Sequence, residues 1–116
     1  MSNNNSSVGN DLPKLVRDNI PEIIREQDKQ EPIFHIAKDD DEFGLYLKKK
    51  IVEEAAELTS IEDKDVLVYS IVDVLEVIDA LKKLYNISND EIQKAKIYKQ
   101  EKNGAYTKRF ILEGKK

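Results

Sequence analysis

Cysteine is missing from this chain, and histidine occurs once, at His35. The first absence removes disulfides, thiolate metal sites and cysteine nucleophiles, and a lone imidazole cannot build a multi-histidine metal centre. Glycine and proline are scarce, at 4 and 3 residues, so few positions interrupt a helix. No stretch holds 18 consecutive apolar residues, which speaks against a membrane span. Met1 to Asn10 is rich in Asn and Ser and lacks the charged and apolar regions of a signal peptide. These absences point to a soluble, cytoplasmic protein with no membrane partner, in which residues 1–11 form a disordered N-terminal tail. Positive charge is not in excess either: 19 basic against 23 acidic side chains give −4, so nothing draws the whole chain to nucleic acid. Charge of both signs is abundant, at 36% of residues, as on a helical and well-solvated surface. A chain of 116 residues fits one domain, placed at 12–116, with a core but little to spare.

Local signals divide that domain into helices. Pro13 argues against a helix through Leu12 to Asp18, whereas Asn19 is placed to cap a short helix from Ile20, with Pro21 in its first turn. Glu31 to Ala37 reads as extended: Pro32 blocks a helix, and Ile33, Phe34 and Ile36 suit a short strand or a packed loop. The isolated His35 reads as a surface or satisfied side chain rather than a ligand. A second helix starts at Asp39, with Glu42 completing a capping box, and runs to Leu58. After the polar break Ser60 to Asp65, Val66 to Leu84 forms a third helix, apolar nearly all the way round and hence the central packed element. Ser88 and Glu91 repeat the capping box for a fourth helix from Asn89 to Lys102, closed by a left-handed cap at Asn103-Gly104. The tail from Ala105 should pack back through Phe110-Ile111-Leu112. The fold class is all-α.

Carboxylates interrupt the apolar pattern of the two middle helices. At about 100° per residue, Phe43, Leu47, Ile51, Ala55 and Leu58 make one stripe. Glu54 falls inside it, Glu57 on its flank, and Glu53 further round toward solvent. An inward carboxylate needs a partner. On the third helix Asp73, Glu76 and Asp79 step round by about 60° each, as either a cation site or an edge facing solvent, with Asp73 and Glu76 the better site candidates. Acids converging from two packed helices repel and resist desolvation, so such a site normally contains cations. Lys94, Lys96, Lys99 and Lys102 suit either the C-terminal dipole of the fourth helix or phosphate oxygens.

Taken together, Lys14-Leu15-Val16-Arg17-Asp18-Asn19-Ile20-Pro21-Glu22-Ile23-Ile24, Glu53-Glu54-Ala55-Ala56-Glu57, Asp73-Val74-Leu75-Glu76-Val77-Ile78 and Lys102-Asn103-Gly104-Ala105-Tyr106 resemble the MazG-like, all-α nucleoside triphosphate pyrophosphohydrolases. Within these the phosphoribosyl-ATP pyrophosphohydrolase-like branch is the nearest in pattern. The resemblance spans residues 12 to 112. It implies a bundle of four to five helices completed by oligomerisation, as a homodimer or homotetramer, with magnesium held by carboxylates of two neighbouring helices. One position departs from the family pattern, which places Glu-x-x-Asp on the third helix. With the Asp aligned to Asp73, Ser70 stands where the Glu belongs. Glu76-Val77-Ile78-Asp79 has the same spelling but sits six residues on, facing about 120° away. Glu76 is then the candidate substitute for the missing acid.

The chemistry implied is Mg-dependent cleavage of a nucleoside triphosphate between the α and β phosphates, giving a nucleoside monophosphate and pyrophosphate, in a house-cleaning role. Magnesium, or manganese in its place, would take Glu54, Glu57, Asp73 and Glu76 as ligands, and Glu53 would ligate or act as the general base for a water. Lys14 and Arg17, with Lys99 and Lys102, would hold phosphate oxygens; a structural ion pair is the other reading of Arg17. The alternative function is a non-catalytic helical dimer, a nucleotide-binding regulator or protein-interaction module in which Ser70 records loss of activity.

Overall fold

Helices begin where a side chain can satisfy the first free N–H groups. In the computed structural model, which describes residues 12–116, four helices follow this rule unevenly: α1 Ile20–Gln27, α2 Asp40–Leu58, α3 Lys64–Leu84 and α4 Asn89–Asn103. The expected tail at residues 1–11 lies outside the described residues, and among those described there is no strand.

At α1, Asn19 occupies the cap position but its side chain makes no cap hydrogen bond; the Ile20 N–H instead donates to the Arg17 carbonyl at 3.0 Å. At α2, the Asp39 carboxylate accepts from the Glu42 N–H at 2.9 Å. The Glu42 carboxylate does not return to Asp39; it accepts from the Lys38 N–H at 2.7 Å and meets His35 Nε2 at 2.8 Å, so the box is half formed. These contacts hold the Glu42 carboxyl below its ordinary pKa, the Lys38 hydrogen bond most of all. Asp63 caps α3 by accepting from the Asp65 and Val66 N–H groups at 2.8 and 3.2 Å, which starts the helix two residues before the apolar run. The Ser88–Glu91 box of α4 is complete, and Gly104, at φ 86°, ends the helix with its N–H on the Gln100 carbonyl. The stretch before α2 forms neither strand nor packed loop: Ile33, Phe34 and Ile36 are exposed.

The chain forms two compact units, the first reaching to Tyr85 and the second comprising Asn86–Lys116. In the first, α2 packs against α3. Gly44 permits a close approach, because a Cβ at that position would lie 2.9 Å from Tyr85 Oη and 3.3 Å from Leu84 Cδ2. The centre of this packing is thin: Leu47 is buried, and the other buried side chains, Lys50, Glu54 and Ser70, are polar. The third helix is not the enclosed element its composition suggests. Ser70 is buried, but Val68, Ile71, Val72 and Leu75 on the opposite side are 41–53% exposed. In the second unit every residue is exposed, Phe110, Ile111 and Leu112 among them. No helix among the described residues is long and apolar enough to cross a membrane.

Candidate metal centre

Two helical turns separate Leu47 from Glu54, so the stripe that buries the leucine carries the glutamate inward as well. Glu54 is 3% exposed, and its Oε1 is buried without any hydrogen-bond partner. Its Oε2 meets the Lys50 ammonium at 3.2 Å. Glu53 and Glu57 flank it, and one oxygen from each of the three carboxylates lies within 4.8 Å of the others. Glu53 is not turned to solvent as the helical wheel alone places it. Its Oε2 sits between Lys50 at 3.3 Å and Lys14 at 3.2 Å, the latter delivered by the segment before α1. Glu57 shows the effect of this crowding: its pKa is raised, first by burial, then by the charges of Glu54 and Glu53, with Lys50 pulling the other way and Asp73 adding to the rise.

The acids of α3 approach from the other side. Asp73 and Glu76 line a cavity of about 290 Å³ together with Glu54, Lys50 and Arg17. Arg17 bridges them, with one terminal nitrogen 2.5 Å from Asp73 Oδ1 and the other 2.5 Å from Glu76 Oε1. The pair raises the guanidinium pKa, the Asp73 hydrogen bond most strongly. Arg17 therefore stands in an ion pair. Ser70, one turn before Asp73, is buried with its hydroxyl unpartnered. Asp79 is 3.8 Å from Lys82 and largely exposed.

A second cavity, of about 460 Å³, lies against Glu53 and Glu57 and is lined also by Lys14, Tyr46, Lys49 and Lys50. Lys50 thus borders both cavities. It is buried and central to the charge arrangement, yet sequence reasoning passed over it. Within Lys48-Lys49-Lys50 it reads as part of a solvated run; the signal was its position four residues before the inward Glu54, on the same helical face. The expected phosphate ligands Lys99 and Lys102 belong to α4 in the second unit, where both are exposed and the Lys102 ammonium lies 5.8 Å from the Tyr98 ring centroid.

The donor set consists of carboxylate oxygens, hard ligands suited to magnesium or manganese rather than to softer ions. Glu53, Glu54, Glu57, Asp73 and Glu76 stand against Lys14, Lys50 and Arg17, which leaves two negative charges in surplus. An orphaned carboxylate oxygen inside that surplus is a fit for one divalent cation. Comparison of the chain with protein-family models, with curated proteins and with solved structures gave no match.

Proposed function

We propose that this protein is a magnesium-dependent nucleoside triphosphate pyrophosphohydrolase of the MazG-like kind, working as a homo-oligomer. The observation that carries the reading is the buried, unpartnered Oε1 of Glu54 within a group of three carboxylates whose oxygens approach within 4.8 Å. A carboxylate kept dry and half satisfied costs stability, and a function that uses it explains the arrangement. Glu54 and Glu57 would hold the metal, with Asp73 joining from α3. Bound there, the ion would neutralise phosphate charge and acidify a water for attack at the α phosphorus. Glu53, oriented by Lys14, is the candidate acceptor of the water's proton. Lys14 and Arg17 would take phosphate oxygens, for which Arg17 must exchange its present carboxylates.

That last requirement supports a second reading. Asp73 and Glu76 are engaged by Arg17, and Ser70 contributes no charge, as suits a non-catalytic nucleotide-binding or protein-interaction module. Pyrophosphate release from a panel of nucleoside triphosphates with magnesium separates the two. The hydrolase reading expects release from at least one, and a loss on the order of 100-fold in turnover for Glu54→Gln with its fold kept. No release from any triphosphate leaves the second reading.

A further inference from the structure

The burial of Lys50 is the feature the proposed reaction does not account for. Lys50 is 6% exposed, whereas an ammonium is seldom buried without strong reason. Helix reinforcement is not that reason. On one helix the favourable i,i+4 order has the glutamate first, the reverse of Lys50 with Glu53 and Glu54. Nor does the ammonium complete the cluster, since Glu54 Oε1 stays without a partner. A single charge therefore sits where a larger one would be better accommodated. The flexible four-carbon stem lets the amine swing, and Lys50 borders both the cavity shared with Asp73 and the one bounded by Lys14 and Tyr46.

We propose that Lys50 is a resident substitute for the metal: it pairs with Glu53 and Glu54, yields them to a divalent cation, and then donates to the phosphate oxygens of the incoming nucleotide. This rests on the metal-dependent reading above and adds a role for a residue outside the carboxylate set. Ammonium and divalent cation compete for the same oxygens and repel each other at close range. The empty protein consequently holds free metal weakly, and metal and triphosphate enter with mutual reinforcement, each favouring the state the other needs.

The test uses Lys50→Met, which keeps an unbranched stem and removes the charge. Calorimetric titration with Mn²⁺ alone is compared with titration of inorganic tripolyphosphate at saturating Mn²⁺, after circular dichroism has confirmed the fold. The expected result is opposite in sign for the two ligands: Mn²⁺ binds about tenfold tighter than to the wild type, and tripolyphosphate about tenfold weaker. A residue with a purely structural role moves both the same way. Should Lys50→Met not fold, the wild type alone answers. Acetylation of the Lys50 amine, mapped by mass spectrometry, is slow without metal and several-fold faster with Mn²⁺; equal rates overturn the exchange. Mn²⁺ binding to the wild type that is unchanged or weakened in Lys50→Met overturns this inference and leaves the metal site standing. No Mn²⁺ binding to either protein overturns the metal site itself and the inference with it.

Discussion

At the scale of single residues, Glu57 reports on the carboxylate group through its response to pH. Burial and the neighbouring Glu54 and Glu53 lift its pKa above the ordinary 4.5. A carboxyl raised in this way holds its proton more tightly in the folded state, so its contribution to stability is complete below the unfolded pKa and is lost as pH rises through the folded one. Removing the charge with Glu57→Gln should therefore raise the melting temperature of the metal-free protein by a few degrees at pH 7. The difference from the wild type should vanish as the pH falls to about 4 and below. Adding Mn²⁺ at about 100 times its dissociation constant should reverse the order at pH 7, since the wild type then gains about 2.7 kcal/mol from the ligand and the variant gains less. The burial of Glu54 was legible in the sequence because its own helix determines it: the stripe from Leu47 carries it inward. The environment of Glu53 was not, because a helical wheel knows nothing of Lys14, which arrives from 39 residues earlier in the chain. The same blindness hid Lys50, which shares its two cavities with the segment before α1 and with α3.

At the scale of elements, helix starts follow side-chain chemistry that a sequence displays openly. The Ser88–Glu91 box formed in full, and α4 begins at the residue the pattern indicates. The start of α3 lies two residues before the apolar run that marks it in the sequence, because Asp63 does the capping. Asp63 satisfies two N–H groups that otherwise have no partner within the helix. Its replacement by alanine should cost about 1 kcal/mol, measured as a lower urea midpoint with unchanged slope. Glutamate at position 63 does not restore the loss, since its longer side chain caps poorly; asparagine does. The larger misreading concerns α3 itself. Apolar residues all round a helix imply burial only where neighbours lie on every side, and among the described residues α2 is the one helix of the first unit packed against α3. Composition recorded a demand for cover that this unit does not meet internally.

At the scale of the whole molecule, that unmet demand becomes an argument about assembly. Val68, Ile71, Val72 and Leu75 recur at three- and four-residue spacing, so they form one exposed stripe along α3. In a two-fold pair the same patch meets itself. Each of these half-exposed side chains would gain about 1 kcal/mol on full cover, or about 8 kcal/mol for the pair, a figure comparable with the 4–15 kcal/mol that association itself consumes. The neighbouring Tyr69, 72% exposed, would add to the contact. An interface so finely balanced is sensitive to a single buried charge. Leu75→Glu places two uncompensated carboxylates in the symmetric contact, each costing about 2 kcal/mol or more, and should weaken association by about 1,000-fold. Sedimentation velocity at tens of micromolar should then show a dimer or larger species for the wild type and a monomer for the variant. The melting temperature should rise with protein concentration for the wild type alone, because assembly stabilises by mass action. A wild type that sediments as a monomer throughout, with a melting temperature independent of concentration, would leave the stripe without a self-partner and remove the oligomer from the proposed function while leaving the carboxylate site intact.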